Sequence, residues 1–338
     1  MTQGVATRRL GRTSLTLPEL GFGAGPTGNL YRPVTDEDAR ATLAKALAEG
    51  LHYIDTAPYY GFGLSERRVG DALRGREDVI VSTKAGRLLR PMRLRAGGER
   101  DGFHSPLPFT PVFDYSYDGI LRSCDDSLQR LGLSRIDILL AHDIGAETHG
   151  SGHGVRLDEL RAGGLRAMQR LKDEGVIAAF GIGVNEIAVC LDLLADSPLD
   201  LILLAGRYTL LEQGALDALF PRCRETGTAI VVGGPYNSGI LATDSIVTGG
   251  RYNYARAPAE VIERVRRIEA VCVRHGVGLG TAALHFVLAH PQVASVIPGM
   301  ASVAEVEATV ARYRTGVPSA LWEELRHERL IRADAGGL

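Results

Sequence analysis

Short apolar runs alternate with amphipathic stretches along nearly the whole chain. Some of the runs, such as residues 138–141, are apolar at every position, which is typical of parallel strands buried on both faces. The pattern predicts eight strands, over residues 18–24, 53–57, 79–84, 136–142, 178–184, 201–205, 229–232 and 293–298.

The stretches between these runs carry apolar positions at helical spacing. The first of them has Thr35 as a suitable N-cap and Gly50 just past its end, the usual start and stop signals of a helix. The predicted helices cover residues 36–49, 65–73, 117–131, 157–174, 187–194, 211–225, 258–275, 279–290, 303–313 and 318–330.

Eight strand–helix units favour a single (β/α)8 TIM barrel, an α/β fold, as one domain over residues 1–338. Long loops are predicted after strands 3, 4 and 7, over residues 86–116, 143–156 and 233–257. The alternative is a doubly wound sheet with its dinucleotide-binding turn at residues 21–25. Pro26 displaces the third glycine of that G-x-G-x-x-G pattern, so the motif is weak evidence.

Composition narrows the class of protein. Apolar residues make up 45% and charged residues 23% of the chain, values that are typical of a globular protein. A net charge of -2 argues against nucleic-acid binding. No apolar run approaches the ~20 residues of a membrane helix, and no secretory signal is visible, so we expect a cytoplasmic protein. The cysteines form no C-x-x-C pair, so we expect free thiols and no metal.

The ends of the predicted strands carry the candidate chemistry. In a barrel of this type, functional residues lie at the carboxyl ends of the strands. Strand 2 ends near Asp55 and is followed by Tyr59 and Tyr60, strand 3 ends at Lys84, and strand 4 ends at His142. We therefore expect these side chains at one rim. Because charges are costly inside a barrel unless paired, Asp55 and Lys84 are expected to pair.

These residues and their spacing resemble the aldo-keto reductase family, and the resemblance runs along nearly the whole chain. The sequence DTAPYYG at residues 55–61 is followed by SE at residues 65–66, VSTK ends at Lys84, and DILLAH ends at His142. The resemblance implies a catalytic tetrad of Asp55, Tyr60, Lys84 and His142. Taken singly, each residue also has a structural interpretation, such as an ion pair or a rim aromatic. Tyr59 competes with Tyr60, but the spacing of the motif selects Tyr60.

The expected roles follow from hydride-transfer chemistry, which needs a group that moves a proton to or from the substrate oxygen. A tyrosine hydroxyl, with a pKa of about 10, is a poor base at neutral pH. A neighbouring Lys84 would lower that pKa, and Asp55 would hold Lys84 in place. His142 would orient the same substrate oxygen.

The resemblance also implies an extended nicotinamide dinucleotide across the barrel mouth. Tyr208 matches the family tyrosine that stacks on the nicotinamide, and residues 234–239 align with the pyrophosphate loop. The chain has Asn185-Glu186 where the family usually has Ser-Asn, which leaves Asn185 as the contact for the carboxamide. The implied cofactor residues are Gly23, Ala24, Asn185, Tyr208, Gly234, Pro235, Tyr236, Asn237, Ser238, Gly239, Pro298, Gly299, Met300, Ser302 and Glu305.

The segment after strand 8 bears on the choice between NAD and NADP. In an alignment without gaps, the family arginine that binds the 2′-phosphate falls at Glu305, and residues 299–310 contain no lysine or arginine. A carboxylate accepts a hydrogen bond from a ribose 2′-hydroxyl but repels a 2′-phosphate. We therefore expect NAD to be preferred over NADP. The alternative is that Glu305 is an ordinary solvated residue near a helix N-terminus.

Substrate choice is the least determined point. The segments at residues 203–211 and 234–241 are similar to the sugar 1-dehydrogenase branch of the family, whose members oxidise the anomeric hydroxyl of a cyclic aldose to a lactone. Pyridoxal 4-dehydrogenases, which form 4-pyridoxolactone, lie nearby. A general aldehyde or ketone reductase and a cofactor-binding regulatory subunit stay open as alternatives.

The loop arginines are typical of a solvated surface, although one of them could meet a polar ligand. Trp322 could cover the barrel or make a subunit contact, so monomer and homodimer both stay open.

Overall fold

In the computed structural model, which describes residues 4–93, 98–242, 250–335 and 337, eight parallel strands follow one another in chain order around a barrel. Two isolated parallel bridges, Leu20 to Val296 and Gly23 to Gly299, join the first strand region to the last and close the barrel. The predicted (β/α)8 fold is therefore confirmed. The strands are β1 (Phe22–Gly23), β2 (Tyr53–Asp55), β3 (Ile80–Ala85), β4 (Ile138–His142), β5 (Ala179–Val184), β6 (Leu201–Ala205), β7 (Ala229–Gly233) and β8 (Val293–Ile297).

Helices pack around the barrel. Most lie within two residues of the predicted bounds, because Thr35, Ser116 and Ser302 cap their first turns as side-chain acceptors. The helices are α1 (Asp36–Ala48), α2 (Leu64–Leu73), α3 (Tyr117–Leu131), α4 (Ala146–His149), α5 (His153–Glu159), α6 (Leu165–Asp173), α7 (Ile187–Leu194), α8 (Leu219–Thr226), α9 (Ala259–Arg274), α10 (Leu279–Leu288), α11 (Val303–Arg314) and α12 (Ser319–His327).

Two predicted helices differ from the structure. The helix expected over residues 157–174 begins at His153 and passes through a π-helical turn at Leu160–Gly164 between α5 and α6. The helix expected over residues 211–225 forms only in its second half, as α8, after a short 3-10 turn at Gly214–Leu216. The side chains of Thr209 and Gln213 bond to the backbone of residues 210–212, which competes with the first helical turns.

The loops contain more regular structure than their composition indicates. After β3, Arg87–Pro91 pairs with Phe109–Phe113 in an antiparallel arrangement called here the β3 ribbon. A smaller pair, Glu99–Arg100 with Phe103–His104, lies within the same loop. After β7, Arg251–Tyr252 pairs with Ala255–Arg256, called here the β7 hairpin. Residues 94–97 and 243–249, which belong to these predicted loops, lie outside the described residues.

An N-terminal hairpin, Thr7–Arg9 with Thr16–Pro18, covers one end of the barrel and was not predicted. Leu17 of this hairpin and Leu10 of its turn are fully buried and pack with Ile138, Leu201 and other side chains of the barrel strands. A larger apolar cluster fills the space between strands and helices, and it includes Trp322, which is 5% exposed. The hairpin therefore seals the interior, and Trp322 covers the barrel.

The described part of the chain lacks a single membrane-spanning helix and a cluster of metal ligands. No helix there is long and apolar enough to cross a membrane alone, although α9 and α10 reach that length and composition as a pair bent by 95°. The same residues contain no group of three or more acidic, histidine or cysteine side chains arranged to hold a metal ion. Cys124, Cys190, Cys223 and Cys272 are buried free thiols.

Candidate active site

A buried ion pair lies where β2 and β3 end. Lys84 Nζ donates to Asp55 Oδ2 at 2.6 Å and to the carbonyl oxygen of Thr56 at 2.9 Å, and Ser82 Oγ donates to Asp55 Oδ1 at 2.7 Å. Asp55 and Lys84 are each only 2% exposed. The parallel register pairs Asp55 with Ser82, two residues before Lys84, so the acid and the amine lie at the same end of neighbouring strands. Two hydrogen bonds hold the ammonium group of Lys84, and the Ser82 bond holds the carboxylate that faces it.

The barrel makes room for this lysine through a glycine on β5. A Cβ atom added at Gly183 would lie 3.2 Å from Lys84 Cε, and Gly183 pairs with His142 on the neighbouring strand β4. A larger residue would press on the lysine stem, so Gly183 keeps the path of that stem open.

Tyr60 and His142 complete the group that the sequence predicts. Lys84 Nζ lies 4.8 Å from the centroid of the Tyr60 ring. The rings of Tyr60 and His142 have centroids 6.0 Å apart and stand edge to face at 87°. Tyr59 also faces His142, at 6.2 Å, but its ring carries the guanidinium of Arg87 at 4.0 Å rather than the lysine. The geometry thus distinguishes the two tyrosines.

The electrostatics of Tyr60 differ from the expectation. Burial, with Asp55 and Asp143 nearby, raises the pKa of Tyr60 well above its ordinary value, and Arg87 opposes that shift. The net pKa of Tyr60 is therefore raised, where the sequence analysis expected it to be lowered, because desolvation of the phenolate is the largest cause. Tyr60 is a phenol at neutral pH.

His142 is a neutral imidazole. It is 4% exposed, and burial, followed by the charges of Arg87 and Lys84, lowers its pKa well below the ordinary value. Within the described residues, its Nδ1 atom has no hydrogen-bond partner. The Tyr115 hydroxyl donates to the His142 carbonyl oxygen at 2.6 Å and holds this strand end. A neutral ring beside the Tyr60 phenol can donate to, or accept from, a substrate oxygen.

Two glycines set the position of Tyr60. Gly61 has a φ of +63°, and a Cβ atom added there would lie 2.5 Å from the carbonyl oxygen of Gly28. A Cβ atom at Gly28 would in turn lie 2.6 Å from the carbonyl carbon of Tyr60. The loop after β1 and the turn that carries Tyr60 therefore touch backbone to backbone.

The Ser65-Glu66 end of the motif has a structural role that the sequence did not reveal. Ser65 Oγ donates to the carbonyl oxygen of Ala24 at 2.8 Å and lies 2.8 Å from Thr56 Oγ1. The fully buried Glu66 accepts from Thr83 Oγ1 at 2.7 Å and from Arg130 Nε at 2.5 Å. These bonds tie α2 to β1, β3 and α3 and support the turn that holds Tyr60.

The loop after β7 has the backbone shape of a phosphate site. Gly234, Ser238 and Gly239 have φ values of +57°, +60° and +101°, and a Cβ atom added at Gly239 would meet nothing within 4 Å. Asn237 N and Gly239 N donate to the carbonyl oxygens of Gly234 and Tyr236, and the exposed Gly234 and Gly239 have no side chain to keep a ligand away from the backbone. Pro235, Tyr236 and Asn237 are buried, so their side chains form the base of the loop.

The segment after β8 borders the same mouth. Gly23 N donates to the carbonyl oxygen of Pro298 at 2.9 Å, and the neighbouring Ala24 is buried. Gly299 is exposed, whereas Met300 is 1% exposed, so Met300 offers its backbone alone. Ser302 Oγ caps α11, since it accepts from the Glu305 N–H group.

A family model and two known proteins match this chain over most of its length. A model described as "Aldo/keto reductase family" matches residues 19–326. The chain is 43% identical to pyridoxal 4-dehydrogenase of Microbacterium luteolum, over 96% of this chain and 97% of that protein. It is 41% identical to D-threo-aldose 1-dehydrogenase of Pseudomonas sp, over 94% of this chain and 95% of that protein.

The chain belongs to the aldo/keto reductase family. A solved aldo-keto reductase from Bacillus halodurans, in its holo form, superposes with a TM-score of 0.75 at 29% identity and covers 97% of each chain. The protein is therefore an oxidoreductase of a family that uses nicotinamide cofactors.

This aldo/keto reductase departs from the expected cofactor contacts at Tyr208. The residue is fully buried, and its ring lies 4.7 Å from Phe220 and 5.2 Å from Phe286, measured between centroids. The prediction that Tyr208 stacks on the nicotinamide is wrong, because a ring without exposed surface offers no face to a cofactor. Gly206, with a φ of +66°, turns the chain after β6 before Tyr208 enters the core between α8 and α10.

The replacement of the usual Ser-Asn pair has a structural explanation. Glu186 accepts from the N–H groups of Ala146 and Glu147 at 2.9 and 3.0 Å and so holds the loop after β4. Asn185 is partly exposed at the end of β5 and is left for a ligand or a neighbouring loop. Asn237, by contrast, is 2% exposed and bonds to Thr209 and to the Gly206 carbonyl oxygen, so its side chain stabilises the loop.

The β7 hairpin adds residues that the sequence analysis missed. Its turn residues Asn253 and Tyr254 have positive φ values, Tyr254 N donates to Ser238 Oγ at 2.9 Å, and Arg207 donates to Asn253 Oδ1 at 2.9 Å. Tyr254 is 54% exposed, and its hydroxyl bonds to the Asn185 side chain. The hairpin thus brings a phenol to the mouth, and the sequence signal was a run of aromatic residues in a loop.

Arg87 and Asp143 form a second ion pair in the site. The side chains of Arg87 and Asp143 are 7% and 21% exposed, and Asp143 Oδ2 lies 3.4 Å from His142 Nε2. Burial raises the pKa of Asp143, and the Arg87 charge opposes that shift. In the sequence, only the positions of these two residues pointed to the site. Asp143 directly follows His142, and Arg87 lies three residues after Lys84.

Proposed function

We propose that this protein is an NAD-dependent dehydrogenase that oxidises the anomeric hydroxyl of a cyclic aldose, of the L-fucose, L-galactose or D-arabinose type, to a lactone. The observation that carries the proposal is the 41% identity to a D-threo-aldose 1-dehydrogenase over 94% of the chain. The cluster of Asp55, Tyr60, Lys84 and His142 at the barrel mouth supports it.

Each side chain has a role in the proposed reaction. Tyr60 takes the proton of the anomeric hydroxyl, and the neutral His142 holds that oxygen through a hydrogen bond. Lys84, fixed by Asp55, places its positive charge beside the Tyr60 phenolate, which is the form that accepts this proton and becomes the phenol. A bound nicotinamide would supply the hydride acceptor. The loop at residues 234–239 and the end of β8 would hold its phosphates and adenosine, and Asn185 its carboxamide.

A second substrate is supported by the 43% identity to a pyridoxal 4-dehydrogenase. Pyridoxal closes to a cyclic hemiacetal, and its oxidation to a lactone breaks and forms the same bonds as the oxidation of an aldose at C1. The aromatic rings of Tyr59, which faces His142, and of Phe113, which faces Arg87, would suit its pyridine ring.

One absorbance assay at 340 nm tests the proposal. The protein is incubated with NAD and, in separate reactions, with L-fucose, L-galactose, D-arabinose, L-glucose or pyridoxal. We expect NADH formation with at least one of the sugars and loss of about 1,000-fold or more in kcat in Tyr60→Phe. Activity with none of the five would refute the dehydrogenase proposal. Reduction of nitrobenzaldehyde with NADPH would then indicate a general reductase, and tight cofactor binding without turnover would indicate a binding subunit.

The proposed preference for NAD rests on Glu305. Its carboxylate accepts from Ala301 N at 2.6 Å and pairs with Arg32 at 2.5 Å, near the N-terminus of α11. The sequence analysis did not predict Arg32 beside Glu305, because Arg32 belongs to the loop after β1. The Glu305 carboxylate would still repel a 2′-phosphate, and Arg32 is already engaged in the pair.

Kinetics with both cofactors test this preference. We expect wild-type kcat/KM to be higher for NAD than for NADP. Glu305→Gln keeps the size of the side chain but removes its charge, so kcat/KM for NADP should rise about 3- to 10-fold. Arg32→Gln is the matched variant with the opposite charge change, and it should not raise NADP use. A wild-type enzyme that favours NADP would contradict the proposal.

A further inference from the structure

The Arg87–Asp143 pair has no part in the proton and hydride transfer described above. Arg87 begins the β3 ribbon and Asp143 directly follows β4, so two neighbouring strand ends bring these side chains together. The Asp143 N–H group donates to the Gly183 carbonyl oxygen at 2.9 Å and fixes its backbone at a φ of +46°. Arg87 is 6% exposed. A buried ion pair of this kind adds little net stability, because desolvation offsets the attraction.

The carboxylate is open on one side. In the described part of the chain, Arg87 and His142 both approach Oδ2 of Asp143, and no hydrogen bond or ion pair engages Oδ1. Arg87 Nε likewise has no hydrogen-bond partner among the described residues. The pair therefore has an unused acceptor, Asp143 Oδ1, beside the imidazole of His142, whereas Arg87 Nε is buried.

Aromatic rings surround this polar pair. The Arg87 guanidinium lies 4.0 Å from the Tyr59 ring centroid and 5.3 Å from that of Phe113, and both rings are half-buried. A sugar ring has an apolar face of C–H groups and an edge of hydroxyl groups. Aromatic rings pack against the face, while a carboxylate and a guanidinium bond to the edge.

The distances give Asp143 a particular place relative to the reaction. An oxygen held by Tyr60 and His142 belongs to the reacting carbon, and Asp143 Oδ2 lies 3.4 Å from His142 Nε2. We propose that Asp143, oriented by Arg87, accepts a hydrogen bond from the hydroxyl on the carbon next to the reacting carbon and so selects an aldose. This inference rests on the proposed function. Pyridoxal hemiacetal has no hydroxyl on that neighbouring carbon, so the pair separates the two substrate classes.

The test compares Asp143→Asn with the wild type on matched substrates. Asn keeps the shape and tolerates a positive φ, but the amide is a weaker acceptor. The substrates are whichever of L-fucose, L-galactose, D-arabinose and L-glucose the wild type oxidises, the 2-deoxy analogue of that sugar, and pyridoxal. We expect the wild type to lose about 100-fold in kcat/KM on the 2-deoxy analogue. Asp143→Asn should lose about 100-fold more on the parent sugar than on the analogue, because the effect of the lost charge on the pKa of Tyr60 is common to both substrates.

Two controls separate recognition from a structural effect. Asp71→Asn makes the same chemical change in an exposed pair with Arg74 on α2 and should alter none of the rates. The NADH dissociation constant of Asp143→Asn, from fluorescence titration, should match that of the wild type. Equal losses on parent and analogue would overturn the inference, as would a wild type that does not distinguish them or that oxidises pyridoxal alone. A wild type that oxidises none of the compounds would refute the proposed function itself and the inference with it.

Discussion

The electrostatic surroundings of Tyr60 bear directly on the proposed reaction. Burial and the carboxylates of Asp55 and Asp143 oppose its ionisation, and Arg87 favours it. Lys84 holds its charge 4.8 Å from the ring centroid. Oxidation of an alcohol needs Tyr60 as a base, so it needs the phenolate. Reduction needs the phenol, which is the form present at neutral pH. One residue therefore gives the two directions different pH dependence.

A pH–rate profile in both directions tests this reasoning. A raised pKa leaves Tyr60 protonated, and kcat/KM reports the free enzyme, so oxidation should speed up about tenfold per pH unit between pH 7 and 9. Reduction should stay flat over that range. His142 is neutral because its pKa is lowered, so no change should occur near pH 6.5. An oxidation profile that levels off below pH 8 would contradict the raised pKa, and Tyr60→Phe should lack the rising limb.

At the scale of elements, the site depends on contacts between loops that the barrel strands bring together. The turn after β2 carries Tyr60 and touches the loop after β1 at Gly28 and Gly61. The buried Glu66 at the start of α2 is paired with Arg130 of α3. These contacts place the phenol over Lys84 without involving either side chain directly.

Gly61→Ala tests the loop contact, with Gly132→Ala as its control. Both glycines have almost the same positive φ, +63° and +64°, so alanine costs roughly 1–2 kcal/mol of stability at each. At Gly61 the new methyl group would also meet the Gly28 carbonyl oxygen, whereas at Gly132 it meets nothing within 4 Å. We expect Gly61→Ala to lose a further 1–3 kcal/mol, roughly, and more than about tenfold in kcat. Gly132→Ala should keep full activity in the same denaturation and rate measurements, and equal effects of the two variants would contradict the role of the contact.

The elements also show what sequence patterns can and cannot predict. The strand ends with Asp55, Lys84 and His142 were predictable, because parallel strands present their carboxyl ends at one rim. The β3 ribbon and the β7 hairpin were not, since their pairing depends on which residues meet across a long loop. Tyr208 shows the same limit. Its type and position matched a family pattern, but the turn at Gly206 sends the ring into the core.

On the scale of the whole molecule, the two ends of the chain depend on one another. The bridges from Leu20 to Val296 and from Gly23 to Gly299 join the first and last strand regions. The N-terminal hairpin buries Leu17 against side chains from β4 to β8. Removal of either end would expose the interior of the barrel, because the apolar cluster inside it has members from most of the strands. From this interdependence we propose that the chain folds as one domain, as the sequence analysis predicts for residues 1–338.

Urea unfolding followed by two probes tests that view. The chain has one tryptophan, Trp322 on α12, so its fluorescence reports the outer layer, while circular dichroism at 222 nm reports all helices. A single cooperative domain predicts coincident transitions. Leu17→Ala removes buried apolar volume at the opposite end of the barrel from Tyr60 and should lower stability by about 2–5 kcal/mol by both probes equally. Two separated transitions, or a Leu17→Ala effect seen by circular dichroism alone, would show that the hairpin end unfolds independently. The shared shift is expected because α12 packs on a barrel whose interior Leu17 helps to fill.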